Sequence, residues 1–88
     1  MIMICIELAF TESKERLAAR PAHRANLEGL QRAGLLLAAG PWADDSGAMI
    51  LLHTDQAAAE EIIAHDPYFD TAGVTVVSVR RWEPVVGP

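Results

Sequence analysis

Four short apolar segments and two helical segments follow one another along the 88 residues, and their order limits the folds that this chain can adopt. The predicted elements are a strand at 2–10, a helix at about 21–33, strands at 35–42 and 48–54, a helix at 56–65 and a strand at 74–85. Two right-handed crossovers in this order give a four-stranded antiparallel sheet with both helices on one face. The sequence therefore predicts an α+β, ferredoxin-like βαββαβ domain over residues 1–88.

The first strand is apolar on both of its faces, which bears on assembly. One face carries Ile2, Ile4, Ile6 and Leu8, and the other carries Met3, Cys5, Glu7 and Ala9. Two helices cover only one face of the predicted sheet, and 51% of the residues are hydrophobic. The uncovered face needs a second apolar surface. We therefore expect a homodimer in which two sheets pair face to face as a dimeric α+β barrel.

Proline and glycine set the predicted limits of the first helix. Thr11 or Ser13 can cap an initial helical turn. Pro21 is predicted to be the first position of the main helix, where its missing N–H has no cost. The helix continues to about residue 33, and Gly34 is its C-terminal signal. Leu27 defines its inner face, so His23 lies on the core side, one turn from the predicted helix start.

The second helix ends in an unusual way. Its N-cap is Thr54 or Asp55, and it runs into Asp66 and stops at Pro67, because a residue before proline is disfavoured in helical geometry. A carboxylate at a helix C-terminus faces the negative end of the helix dipole. Either a cationic group, His23 or Arg20, compensates Asp66 in the fold, or Asp66 caps a turn in water.

Charge and composition exclude several classes of partner. The chain has 12 acidic and 7 basic side chains, with a net charge of -5, and no Lys/Arg cluster that could neutralise a nucleic-acid backbone. Cys5 is the only cysteine, so no disulfide can form within the chain, and a buried, unreactive thiol is expected there.

The sequence predicts neither a membrane segment nor a secretory leader. No stretch reaches the ~20 apolar residues of a membrane helix. The N-terminal "MIMICIELAF" lacks a positively charged region and contains Glu7, unlike a signal peptide. We therefore expect a cytoplasmic protein with no membrane partner.

His23 and Asp66 are the candidate catalytic residues. The predicted helix start disfavours an imidazolium at His23, which would keep the ring neutral and available as a base. A nearby carboxylate would fix its tautomer. The alternative for His23 is a structural histidine bonded to a backbone carbonyl. Arg16 and Arg20 precede the predicted helix, where an anionic partner such as a substrate would suit them; the alternative is that both are solvated.

The remaining polar and aromatic residues give weaker indications. Tyr68 and Phe69 follow Asp66, and Trp42 and Trp82 lie at strand ends, where they either wall a small pocket or pack structurally. His53 and His65 show no metal-binding spacing, so no metal site is predicted. There is also no glycine-rich phosphate loop and no nucleophile motif.

Three segments carry a family resemblance over nearly the whole chain. They are "RPAHRANLEGLQRAGLLLAAGPWADDSGAMIL", "AAAEEIIAHDPYFDTAGV" and the closing "VRRWEPV". Their distinguishing features are a histidine after Arg-Pro, "AGP" before an acidic-glycine loop, and "DPY" with a later glycine. In these features the chain resembles the YCII-related (YciI-like) family.

The resemblance implies a ferredoxin-like fold that dimerises, similar to muconolactone isomerase. It also implies a histidine–aspartate active site, and the matching residues are His23 and Asp66. Gly40, Pro41 and Tyr68 match the surrounding motif, and Arg20 is a further substrate-binding candidate. One branch of the family resembles dehydrochlorinases of chlorinated hydroxyquinols, and nothing in this sequence places the chain in that branch.

Three functions are consistent with these residues. The leading hypothesis is a small cofactor-independent enzyme of lyase or isomerase type, in which His23 oriented by Asp66 acts as general acid/base on a phenolic or carbonyl compound. The second is a non-catalytic module that binds a small metabolite. The third is a cofactor-free oxygenase.

Overall fold

The chain forms four strands and two α-helices in the predicted order in a computed structural model, which describes residues 2–87. The elements are β1 (Met3–Phe10), α1 (Lys14–Arg32), β2 (Leu36–Pro41), β3 (Gly47–Leu52), α2 (Gln56–His65) and β4 (Val74–Trp82). A 3₁₀-helix, Pro67–Asp70, follows α2. The domain predicted for residues 1–88 extends one residue beyond each end of the described range.

The four strands form one sheet in the order β2-β3-β1-β4, and every neighbouring pair is antiparallel. The ferredoxin-like prediction is confirmed. Along the two central strands, Ile4 pairs with Leu52 and Ile6 with Ile50, and these side chains are fully buried beneath the helices. Burying each such side chain contributes about 1.5–3 kcal/mol. The core therefore lies between the helices and the centre of the sheet.

The opposite face of the sheet is not covered by a helix. Cys5 pairs with Leu51 on this face, and both side chains are half-buried. Val77 and Trp82 on β4 are exposed by 53% and 44%. Burial raises the pKa of the Cys5 thiol, although Arg80 opposes this effect. The homodimer that would cover this face stays a prediction.

Helix α1 begins earlier than predicted. Ser13 is its N-cap, and the Ser13 hydroxyl accepts from the Arg16 N–H at 2.9 Å. The prediction that Pro21 begins the main helix is wrong, because Pro21 lies inside one continuous helix. An interior proline costs ~3 kcal/mol. The good helix formers at 14–20 and the burial of Arg16 nevertheless favour a helix that includes these residues.

This earlier start changes the electrostatics expected at His23. His23 is the tenth residue of the 19-residue helix that begins at Lys14. The helix dipole acts mainly within the terminal turn, so the prediction that it keeps the His23 ring neutral is wrong. Arg20 is the seventh residue of the helix and also lies beyond its first turn, whereas Arg16 is the third residue and lies within it.

Candidate active site

His23 and Asp66 form a buried pair between α1 and the end of α2. His23 Nδ1 lies 2.7 Å from Asp66 Oδ2, and the two residues are 6% and 8% exposed. The helix end therefore tolerates the carboxylate because an imidazole N–H meets it, which is the first of the two alternatives considered for Asp66.

The backbone holds Asp66 in place through its second carboxylate oxygen. Asp66 is both the C-cap of α2 and the N-cap of the 3₁₀-helix. Its Oδ1 accepts from the Tyr68 N–H at 3.0 Å, as N-cap side chains commonly do. With one oxygen on the backbone and the other on His23, the carboxylate has a fixed orientation.

Two aromatic rings fix the plane of the His23 imidazole. The Tyr68 ring stacks on it at 3.9 Å between centroids, with 10° between the planes. Phe69 meets the ring edge-on at 5.4 Å and 89°. Because both aromatic residues are buried, the imidazole has little freedom to rotate away from Asp66.

The hydrogen bond to Asp66 determines which His23 nitrogen is available for chemistry. An ionised carboxylate only accepts hydrogen bonds, so Nδ1 carries the proton. In the neutral ring, Nε2 is then an acceptor with a free lone pair. Within residues 2–87, Nε2 has no hydrogen-bond partner. The arrangement is suited to a general base whose conjugate acid Asp66 stabilises.

Arg16 is almost fully buried beside this pair, at 4% exposure, so the solvated alternative for it is wrong. Its Nη2 donates to Asp45 Oδ2 at 3.0 Å, and its guanidinium lies 4.4 Å from the centre of the Phe10 ring. Burial lowers the pKa of Arg16, but Asp45 and the Tyr68 hydroxyl outweigh burial and the pKa is raised. Arg16 is therefore a permanent buried cation.

Arg20 pairs with Asp45 rather than with Asp66. Its Nη2 donates to the same Asp45 oxygen at 3.4 Å. Asp45 lies in the turn between β2 and β3, with a positive φ of 58°. The turn is anchored by the Trp42 N–H, which donates to the Gly47 carbonyl at 2.9 Å. The expectation of an anionic partner for Arg20 is met within the chain, by a residue that was not anticipated.

A cavity of about 430 Å³ opens between α1 and the β2 side of the sheet. Its walls include His23, Arg20, Gly40, Pro41 and Tyr68. All the predicted site residues except Asp66 thus meet at one cavity, and Asp66 contacts it through His23.

The sequence reasoning missed Arg24 and Asp45 as cavity residues. Arg16, Arg20 and Arg24 recur every four residues, a spacing that places them on one helix face and could have been noticed. Asp45 gave no local signal, because an aspartate in a turn is usually solvated and its partners lie 25 and 29 residues away.

The other candidates lie elsewhere. His65 is exposed, and its Nδ1 bonds to the Glu61 carbonyl at 2.7 Å. His53 and Trp82 border a second hollow near the C-terminus, and Trp42 does not line the His23 cavity. Within residues 2–87 no group of three His, Cys, Asp or Glu could hold a metal ion.

A family model describing the YCII-related domain matches residues 1–83. This chain belongs to the YCII-related family. The match includes every strand and helix of this YCII-related domain, which confirms the resemblance seen in the sequence. None of the helices within residues 2–87 is both long and apolar enough to cross a membrane.

A solved structure has the same fold at low sequence identity. It is TftG, 5-chloro-2-hydroxyhydroquinone dehydrochlorinase from Burkholderia phenoliruptrix AC1100, in complex with 2,5-dihydroxybenzoquinone. The TM-score is 0.64 with 19% identity, and the match covers 94% of each chain. No curated protein matches this YCII-related chain.

Proposed function

We propose that this YCII-related chain is a small enzyme in which His23, oriented by Asp66, moves a proton on a small organic substrate. The observation that carries the proposal is the buried 2.7 Å contact between Nδ1 and Oδ2 at the wall of a cavity of about 430 Å³. A cavity of this size suits a ligand of one or two rings.

In the proposed reaction, Nε2 of His23 accepts a proton from a hydroxyl or an acidic carbon of the substrate. The imidazolium that forms is stabilised by Asp66 at Nδ1, and such a base contributes roughly 10²- to 10⁴-fold in rate. If the proton returns at another atom, the result is isomerisation. If the electron pair left behind forms a double bond as a carbon–chlorine bond breaks, chloride leaves and HCl has been eliminated. Neither outcome calls for a cofactor.

The other predicted site residues have binding roles in this proposal. Gly40 and Pro41 of β2 form one wall of the cavity, and Tyr68 forms the wall on which the His23 ring stacks. Arg20 would interact with polar substituents of the substrate. We also propose that the uncovered sheet faces of two copies pair as a homodimer.

The fold match supports a class of substrate to try first. TftG is a dehydrochlorinase, and its structure holds a dihydroxylated quinone. A substituted hydroquinone carries both an acidic hydroxyl for His23 and a ring small enough for the cavity. Lyase chemistry on such a ring is therefore the first activity to test.

The test is chloride release from 5-chloro-2-hydroxyhydroquinone, measured with the purified protein under anaerobic conditions to suppress oxidation of the substrate. Wild type should release chloride, and His23→Ala should lose roughly 10²-fold or more. His53→Ala is the matched control, because His53 is exposed and lies outside this cavity, and it should retain full activity. Equal turnover by His23→Ala and His53→Ala would contradict the proposal.

A non-catalytic binding module is the second candidate. The arginines at the cavity favour it, because they can bind a charged ligand without taking part in a reaction. Native mass spectrometry of the purified protein separates the two functions. A metabolite that is retained and released unaltered supports binding alone. Conversion of added substrate supports the enzyme.

A further inference from the structure

The cavity is cationic in a chain that is acidic as a whole. Three of the 7 basic residues line it, namely Arg16, Arg20 and Arg24, against two acidic residues, Glu28 and Asp45, although the chain carries a net charge of -5. They follow one face of α1 at intervals of four residues. A concave site with an excess of positive charge favours ligands that carry negative charge.

The buried member of this set has unused hydrogen-bond donors. Nη2 of Arg16 is bonded to Asp45, whereas Nε and Nη1 make no hydrogen bond of good geometry within residues 2–87, although the Tyr68 hydroxyl lies near enough to raise the Arg16 pKa. Burying a charged group is costly unless it is well paired. A second negative charge at the cavity wall would therefore be favourable.

The carboxylate that now neutralises the arginines is held loosely. A single oxygen of Asp45 accepts from both Arg16 and Arg20, at 3.0 and 3.4 Å. The Asp45 side chain is 48% exposed, so water can solvate this carboxylate when it leaves the arginines. Its backbone lies in the left-handed region, in a surface turn. An incoming anion can therefore compete with it.

We propose that the His23 cavity selects a small organic anion, a phenolate, enolate or carboxylate, and that Asp45 is the internal anion that the ligand replaces on Arg20 and Arg16. This inference rests on the proposed function because it takes the same cavity as the substrate site. Arg20 lies one helical turn before His23, on the same side of α1. A ligand anchored there by its anionic group presents the rest of its ring to His23 and Tyr68.

The first experiment compares two ligands of the same skeleton by isothermal titration calorimetry. One is 2,5-dihydroxybenzoquinone, whose enol groups are ionised at neutral pH, and the other is uncharged 2,5-dimethoxybenzoquinone. Wild type should bind the anion at least about tenfold more tightly, since hydrogen bonds to charged groups are the stronger ones. Equal affinities for the two ligands would overturn the proposal.

The second experiment tests whether Asp45 competes with the ligand. Asp45→Asn removes the charge, and asparagine also tolerates a positive φ. It should bind the dihydroxyquinone about fivefold more tightly than wild type, because the ligand no longer has to displace a carboxylate from the arginines. Asp44→Asn is the matched control, because Asp44 is the exposed neighbour whose carboxylate bonds to the Ser46 N–H, and it should leave the affinity within about twofold of wild type. Tighter binding by neither variant, or by both equally, would contradict the role of Asp45.

A third comparison removes a cation. Substitution of the buried Arg16 endangers folding, so Arg20 is replaced instead, as Arg20→Gln. The control is Arg32→Gln, in the exposed last turn of α1. Arg20→Gln should weaken binding of the anion and spare the dimethoxyquinone. All these readouts are affinities, so they are independent of turnover. Equal affinity of Arg20→Gln and Arg32→Gln for the anion, or no anion selectivity in wild type, refutes this inference, whereas turnover that survives His23→Ala refutes only the proposed function.

Discussion

The Tyr68 ring lies parallel to the His23 imidazole at 3.9 Å, while the Tyr68 backbone N–H donates to the carboxylate that pairs with that imidazole. One residue therefore contacts both members of the pair, one through its side chain and the other through its backbone. The ring plane of His23 and the orientation of Asp66 are set together, by the short 3₁₀-helix Pro67–Asp70.

Replacing Asp66 by Asn should change the tautomer of His23. Asparagine can still cap the 3₁₀-helix with its carbonyl oxygen, but its NH₂ group would then face Nδ1 and make that nitrogen the acceptor. The proton would move to Nε2, and the base would be lost, as happens when a catalytic aspartate that orients a histidine is replaced. We expect the ¹⁵N shifts of the ring to report Nδ1–H in wild type and Nε2–H in the variant.

The proton-transfer activity of Asp66→Asn should be roughly 10²-fold or more below that of wild type. Asp70→Asn is the control, since Asp70 is an exposed acidic residue of the same 3₁₀-helix, and the described residues show His23 bonded to Asp66 and not to Asp70. An unchanged His23 tautomer in Asp66→Asn would show that the carboxylate does not orient the ring.

Truncating Tyr68 should separate its packing from its hydroxyl. Tyr68→Ala removes a buried aromatic ring and should lower the free energy of unfolding by about 3–5 kcal/mol. Tyr68→Phe keeps the stack on His23 and should cost less than about 1.5 kcal/mol, although it removes the hydroxyl beside Arg16. Urea denaturation measures both, and equal losses in the two variants would mean that the hydroxyl, and not the stacked ring, stabilises this region.

Pro21→Ala should stabilise the protein. Alanine restores an N–H that can donate to the carbonyl of Leu17, and a helix-interior proline is about 3 kcal/mol less favourable than alanine. The gain is reduced by roughly 0.4–1 kcal/mol because proline also restricts the unfolded chain. We expect the free energy of unfolding to rise by about 2 kcal/mol in urea titrations. A loss of stability would mean that the packing of α1 requires the proline ring at position 21.

The homodimer is tested on the uncovered face of the sheet. Leu51 lies there on β3, opposite Cys5, and Leu51→Glu would place a charge within the predicted interface. In sedimentation-velocity experiments we expect wild type to be a dimer and Leu51→Glu a monomer. Val85→Glu, at a position 96% exposed after β4, is the control and should remain dimeric. A monomeric wild type would contradict the predicted homodimer.

The fold could be predicted because its signals are local. The period of apolar residues in β1 and β3 and the capping residue Asp55 can be read within a few positions of the sequence, and the helix capped by Asp55 is confirmed as Gln56–His65. The start of α1 could not, because the local preference of Pro21 for a first turn was outweighed by contacts of residues 14–20 with distant parts of the chain.

In the candidate site, too, only the residues with a local signal could be predicted. Asp66 stands out in the sequence because it conflicts with the dipole of its own helix, and that conflict indicates a partner. Asp45 conflicts with nothing nearby, and only the fold brings it to Arg16 across 29 residues. For Arg16 the sequence left open an anionic partner or solvation, since the carboxylate that a buried guanidinium needs cannot be located from the sequence.

The bond from the Tyr68 N–H to Asp66 Oδ1 makes one backbone amide a natural spectroscopic reporter. A ligand that protonates or displaces His23 alters the charge on the Asp66 carboxylate, and the amide that donates to this carboxylate senses the change directly. The ¹H–¹⁵N signal of Tyr68 can thus reveal occupancy of the cavity without a label, a chromophore or knowledge of the natural substrate.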